Sequence, residues 1–158
     1  MIGFISYLVN GISLGSVYAI IALGYTMVYG IAKMLNFAHG DVIMIGAFVV
    51  FSTVSGAGLP PVIGVLISVV ACTLLGMAIE RIAYKPLRKA SKLAVLITAI
   101  GVSYFLQNVA LLIYGANTKS FTSVVTIEPL TLADGALVIS GETIVTVAAC
   151  IIIMIGLM

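Results

Sequence analysis

Long stretches without a charged side chain constrain the fold of this chain more than any other feature. Four of them cover residues 1–32, 42–79, 93–118 and 143–158. An α-helix rises about 1.5 Å per residue, so about 20 apolar residues cross a hydrocarbon layer of roughly 30 Å. Charged residues make up 8% of the chain, whereas a soluble domain carries about 25%. The sequence therefore predicts a membrane protein.

The charge-free stretches divide into five predicted spans within a single transmembrane domain. The second stretch is too long for one crossing, and glycines and prolines between Gly56 and Pro61 break it in two. The spans are predicted near residues 4–29, 42–55, 62–83, 93–114 and 143–158. The last span is still running at Met158, so we expect the sequence to be the N-terminal portion of a larger protein. The predicted fold class is all-α, a polytopic transmembrane helix bundle.

Basic residues indicate how this bundle is oriented. Five of them lie around the end of the third span: Arg81, Lys85, Arg88, Lys89 and Lys92. Short loops rich in Lys and Arg lie in the cytoplasm, so residues 84–92 are predicted to form a cytoplasmic basic loop. Counting crossings from this loop places the N-terminus and residues 115–142 on the periplasmic side. With a net charge of +2, the chain gives no indication of a nucleic-acid partner.

The predicted periplasmic segment contains one β-like pattern. In "LTLADGALVIS", Asp134-Gly135 lies between two β-prone runs, and Asp-Gly is typical of a two-residue hairpin turn. A small extracytoplasmic β-hairpin is therefore an option, either as a contact for a soluble partner or as a cap on the bundle.

Small residues predict close helix contacts. Gly11, Gly15, Ala19 and Ala22 follow one face of the first span, and membrane helices associate through such small-residue surfaces. The two cysteines, Cys72 and Cys150, lie in predicted spans without a metal-ligand spacing such as CxxC. We interpret them as thiols that pack between helices, and no metal site or cofactor is predicted.

The segment "NFAHGD" places Asn36, His39, Gly40 and Asp41 between two apolar runs. Three interpretations of these residues are open. They could form a catalytic site, although the chain offers no second histidine or nearby polar cluster to complete one. Asn36 or Asp41 could cap the next helix, with Gly40 adopting the unusual backbone angles of a break. Alternatively, the segment is a broken helix beside a substrate pathway.

Two longer stretches resemble a known family. "NGISLGSVYAIIALGYTMVYGIAKMLNFAHGDVIMIGAF", residues 10–48, is similar to the N-terminal region of permease subunits of branched-chain amino acid ABC transporters. "IAYKPLRKASKLAVLITAIGVSYFLQNVALLIYG", residues 82–115, resembles a second region of the same subunits. The resemblance implies a non-enzymatic inner-membrane subunit that forms part of the pathway for Leu, Ile or Val.

The resemblance also implies the partners. These are a second homologous permease subunit, two ABC ATPase subunits and a periplasmic amino-acid-binding protein, all assembled in membrane lipid. ATP hydrolysis is expected in the partners, because the chain lacks a G-x-x-x-x-G-K-[ST] loop. The alternatives are a urea or short-amide permease of the same architecture, a membrane enzyme using His39 and Asp41, and a membrane protein without a transport role.

Overall fold

The fold is described from a computed structural model, which covers residues 2–33, 35–120, 130–132 and 137–157. The described residues form five α-helices and two short strands: α1 Ile2–Ala32, α2 His39–Phe51, α3 Pro61–Ile79, α4 Lys92–Tyr114, β1 Leu130–Leu132, β2 Leu137–Ile139 and α5 Gly141–Leu157. Four helical stretches are long and apolar enough to cross a membrane, at Gly3–Ile31, His39–Gly56, Pro61–Leu87 and Lys92–Tyr114. The predicted all-α membrane class is confirmed.

The chain divides into two compact units. One comprises residues 28–122, with the end of α1 and the whole of α2, α3 and α4. The other comprises residues 1–27 and 123–158, with most of α1, the two strands and α5. The residues that form the polar break between α1 and α2 belong to the first unit.

Local sequence explains where the helices of residues 28–122 begin and end. Pro61 is at the start of α3, where the missing N–H of proline costs no hydrogen bond. Ser91 precedes α4, and its hydroxyl accepts a hydrogen bond from the Ala94 N–H at 3.3 Å. Gly115 ends α4 with a φ of 77°, a backbone conformation that glycine adopts without strain.

Two π-helical turns flank α3 in the chain. One covers Ser52–Gly56, before the loop that leads into α3, and the other covers Glu80–Tyr84 directly after it. A 3-10 turn, Lys85–Leu87, follows the second. The helical conformation therefore continues past residue 83, where the predicted span ends. Pro86 lies in the first turn of the 3-10 segment, a position at which a helix accommodates proline.

Helices α2 and α3 pack side by side through glycines. A Cβ atom added at Gly46 would lie 2.9 Å from Cys72 Sγ, and one added at Gly64 would lie 2.8 Å from Thr53 Oγ1. Ser68 Oγ donates to the Gly46 carbonyl at 2.8 Å, and Cys72 Sγ donates to the Val42 carbonyl at 3.5 Å. The absence of a side chain at the two glycines therefore lets the helices approach closely.

In the other unit, β1 and β2 pair antiparallel, with Leu132 opposite Leu137. The strands lie where the sequence indicates the β-hairpin, while its predicted turn at Asp134-Gly135 is outside the described residues. Cys150 is a buried free thiol on α5, and Cys72 is a half-buried free thiol on α3.

Candidate functional site

The connection between α1 and α2 is a true helix break. Helix α1 ends at Ala32, and Lys33 adopts a φ of 55°. The Lys33 N–H donates to the Tyr29 carbonyl at 2.8 Å, which closes the last turn of the helix. The prediction that Gly40 adopts the unusual backbone angles is wrong. Gly40 lies inside α2, whereas the residue with a left-handed backbone is Lys33, directly after the last residue of α1.

Asn36 organises the backbone that leads into α2. Its Oδ1 accepts a hydrogen bond from the Ala38 N–H at 3.1 Å. The same oxygen accepts a second bond from the Tyr84 hydroxyl at 2.8 Å. Tyr84 is buried and belongs to the π-helical turn after α3. One amide oxygen thus connects the start of α2 to the segment that enters the basic loop.

Asp41 lies in the first turn of α2 and is buried, with 8% of its surface exposed. Its Oδ2 accepts a hydrogen bond from the Ser103 hydroxyl at 2.5 Å. Its Oδ1 accepts a second bond from Gln107 Nε2 at 3.0 Å. The interpretation of Asp41 as a helix cap is therefore wrong. The residue before α2 is Ala38, without a side-chain cap, and the Asp41 carboxylate instead joins α2 to α4.

Gln107 connects the Asp41 carboxylate with a cavity in the same unit. Its side chain is exposed, and it lines a cavity of about 400 Å³ together with apolar residues of α2 and α4. Those residues include Met44, Phe48, Phe51 and Leu111. An uncompensated polar group in lipid is unfavourable. An exposed amide midway along a membrane-crossing helix is therefore expected to face protein or water.

His39 and Gly40 contribute less to this arrangement. His39 is half-buried at the first position of α2, and its backbone N–H donates to the Asn36 carbonyl at 3.2 Å. A Cβ atom at Gly40 would meet nothing within 4 Å. No group of three or more potential metal ligands occurs in the described part of the chain.

The basic loop surrounds a larger cavity of about 940 Å³. Arg88 and Lys92 line this cavity with Lys33, whereas Arg81, Lys85 and Lys89 lie outside its lining. Arg88 forms an ion pair with Glu80 at 2.6 Å, and both side chains are substantially exposed. The cytoplasmic position of the loop remains a prediction.

The role of the small residues of α1 in helix packing remains a prediction. Gly11, Gly15 and Ala22 are exposed, and Ala19 is half-buried. A Cβ atom at Gly11 or Gly15 would meet nothing within 4 Å among the described residues. Their face therefore has room for a neighbouring helix.

Three residues of this site, Tyr84, Ser103 and Gln107, were not predicted from the sequence as partners of Asn36 and Asp41. Ser103 and Gln107 are four residues apart in the charge-free stretch 93–118, and residues at this spacing share one helix face. This spacing could have indicated a polar pair on one face of α4. Tyr84 carries no comparable signal, because its partner Asn36 is 48 positions away.

Comparison with known proteins agrees with the resemblance. A family described as branched-chain amino acid transport system, permease component, matches residues 7–158. The high-affinity branched-chain amino acid transport system permease protein BraD of Pseudomonas aeruginosa is 44% identical over 125 residues, which cover 74% of this chain and 41% of BraD.

The corresponding permease protein LivH is 42% identical over 128 residues both in Salmonella typhimurium and in Escherichia coli, covering 76% of this chain and 42% of LivH. The chain thus matches less than half the length of these relatives. No solved structure matches it.

Proposed function

Because the chain belongs to the family of branched-chain amino acid transport system permease components, we propose that it forms part of the translocation pathway of an ATP-driven importer of Leu, Ile or Val. It is a multi-pass protein of the bacterial inner membrane. The partners in the proposal are a second homologous permease, two ATP-hydrolysing subunits and a periplasmic amino-acid-binding protein.

The observation that carries the proposal is the buried Asp41 with its two donors on α4. Ser103 is eleven residues beyond Lys92, so at about 1.5 Å per residue it lies about 16 Å along α4 from that charged residue. This depth is near the middle of a hydrocarbon layer of roughly 30 Å. An ionisable residue there marks a substrate pathway more often than a passive position.

The cavity beside the cluster fits the proposed substrate. Its walls are apolar side chains of α2 and α4, and its polar groups come from Gln107 and from Asn117, Thr118 and Lys119 in the segment after α4. A branched-chain amino acid combines an apolar side chain with polar backbone groups, and pockets that hold such ligands pair apolar walls with a few placed polar groups. In this proposal Asn36 and Asp41 hold the break in place beside the pathway, and Gln107 borders it.

Leucine uptake by the permease with its partner subunits tests the proposal. We expect Asp41→Ala and Gln107→Leu to lower uptake by at least about tenfold at matched membrane levels. Asn108→Leu and Glu142→Ala are the matched controls. The Asn108 side chain bonds to the Tyr104 carbonyl within its own helix, and Glu142 is exposed on α5. Normal uptake in both Asp41 and Gln107 variants would contradict the pathway assignment.

His39→Gln separates transport from chemistry at the histidine. An amide can replace an imidazole as a hydrogen-bonding group, so we expect this variant to retain most of its leucine uptake. Complete loss of uptake with normal assembly would instead support the alternative in which His39 and Asp41 act chemically.

Orientation is tested separately by cysteine labelling. Lys89→Cys and Asn117→Cys, each in a background with Cys72 and Cys150 replaced by Ala, are expected to react from opposite sides of the membrane. An impermeant thiol reagent applied from the periplasm should label the variant at 117 and spare the one at 89. The reverse pattern would overturn the topology.

A further inference from the structure

We propose that the cavity of about 940 Å³ bordered by the basic loop binds the headgroup of an anionic phospholipid from the cytoplasmic leaflet. This cavity is not lined by Gln107, although Asn36 borders it, and the proposal does not depend on which substrate the permease carries.

The charges around the cavity favour an anion. Lys33, Arg88 and Lys92 line it with Glu80 as its acidic residue, and Arg88 is paired with Glu80 at 2.6 Å. Asp41, the other acid described in residues 28–122, is bound by Ser103 and Gln107. Lys33 and Lys92 therefore have no acidic partner among the residues that the structure describes. The first turn of α4 also lines the cavity, and the start of a helix adds partial positive charge.

Lys33 provides an independent argument. Its φ of 55° lies in the left-handed region, where a side chain costs free energy that glycine would avoid. Backbone strain of this kind is found where a residue has a function to serve. Here the strained position carries an exposed ammonium group at the edge of the cavity. A cation at this point, rather than a glycine, is explained by an anionic ligand.

Size and lining identify the anion as a lipid rather than a small solute. The remaining walls come largely from apolar side chains near the ends of the helices and in the connection between α1 and α2, including Ile31, Leu35, Val42, Ile79 and Leu96. A free phosphate or an amino-acid carboxylate would fill a small part of 940 Å³ and leave these walls in water. A phospholipid places its phosphate against cations and its glycerol and acyl groups against apolar side chains. Basic pockets between membrane helices on the cytoplasmic side bind headgroups in this way.

Native mass spectrometry of the purified permease tests the proposal. The protein is mixed with equal amounts of phosphatidylglycerol and phosphatidylcholine of identical acyl chains. We expect one phosphatidylglycerol molecule to be retained with a preference of about tenfold. Equal retention of the two lipids by the native protein would overturn the proposal.

Two charge variants locate the site. Lys33→Gln with Lys92→Gln should abolish the preference. Lys85→Gln with Lys89→Gln removes the same charge from the same region outside the cavity lining, and should leave the preference intact. Equal losses in both pairs would mean that the lipid recognises general surface charge, which contradicts a defined site.

A pair of glycine variants tests the cavity without changing any charge. Gly76 lines the cavity, and a Cβ atom there meets nothing within 4 Å, so Gly76→Leu adds volume at the cavity wall from an open backbone position. Gly101→Leu, at an equally open position outside the lining, is the control. Retained preference in Gly76→Leu contradicts the proposal. Displacement of the lipid by equimolar glycerol phosphate also contradicts it, because the site would then take a free phosphate ester.

Discussion

Helix α2 contacts its two neighbours by different physical means. Against α3, helix α2 and the π-helical turn that follows it rely on missing side chains. Gly46 and Gly64 leave no room for a Cβ atom without displacement of a neighbour, Cys72 at Gly46 and Thr53 of the turn at Gly64. Against α4 it relies on polar groups at its start, Asp41 with Ser103 and Gln107. At its end, Phe48 stacks on Tyr114 with ring centroids 4.3 Å apart.

The difference shows how helices can be joined where lipid supplies no hydrophobic drive between them. A close-packed interface is sensitive to volume, because neither backbone can retreat without loss of many contacts. A hydrogen-bonded interface is sensitive to the removal of one partner, because the remaining donor or acceptor is left unsatisfied. We therefore expect the interface with α3 to respond most to added volume, and the interface with α4 to respond most to the loss of one hydrogen-bonding partner.

The largest effect is expected from added volume at the α2–α3 interface. A Cβ atom at Gly64 already lies 2.8 Å from Thr53 Oγ1 and 3.0 Å from Val54 Cγ2. Gly64→Leu should therefore lower the free energy of unfolding by about 2–3 kcal/mol. Denaturant unfolding of the purified permease measures this, with Gly101→Leu as the open-position control. Equal destabilisation by the two variants would remove the distinction between the interfaces.

An intermediate effect is expected at the polar end of the α2–α4 interface. Asp41→Leu leaves the Ser103 hydroxyl without its acceptor and leaves Gln107 Nε2 with Ser103 Oγ, at 3.2 Å, as its remaining acceptor. The variant should therefore cost about 1–3 kcal/mol of unfolding free energy. Adding Ser103→Ala and Gln107→Leu removes those donors, so the triple variant should recover most of the loss. Its leucine uptake should nevertheless remain low, because the proposed pathway has lost its polar groups. A triple variant less stable than Asp41→Leu would contradict the unsatisfied-donor explanation.

The smallest effect is expected at the other end of the same interface. Ser52 Oγ donates to the Phe48 carbonyl at 2.9 Å, and the Ser52 and Tyr114 hydroxyl oxygens lie 3.3 Å apart. Tyr114→Phe keeps the ring stack and should change the unfolding free energy by about 0.5 kcal/mol or less. Tyr114→Leu, which removes the stack, should cost about 1 kcal/mol more. A larger loss in Tyr114→Phe would assign the stability to the hydroxyl.

The sequence predicted the class of fold because charge-free stretches and helix length are local properties. It also indicated that small residues would mediate helix contacts. It could not single out Gly46 and Gly64 from the exposed Gly11 and Gly15, because contact depends on which helices become neighbours.

The candidate site was predicted only in part, because local composition identifies polar residues but not their distant partners. The segment Asn36–Asp41 was identified from its composition, but the role of Asp41 was not. A carboxylate at a helix start caps free N–H groups when no stronger donors are near. In the fold, the Ser103 hydroxyl and the Gln107 amide approach it from a helix that begins 51 residues later, at Lys92. Such long-range proximity cannot be derived from local pattern.

The depth of Asp41 also has an electrical consequence. Its partner Ser103 lies about 16 Å along α4 from Lys92. In the proposed membrane position of α4, the Asp41 carboxyl group is thus about halfway through the layer across which the membrane potential falls. Moving one elementary charge across the whole layer is worth about 2.3 kcal/mol per 100 mV. A charged group that moved from one membrane face to the depth of Asp41 would cross about half of that potential. Any ion bound beside Asp41 would therefore occupy a site whose affinity depends on the membrane potential.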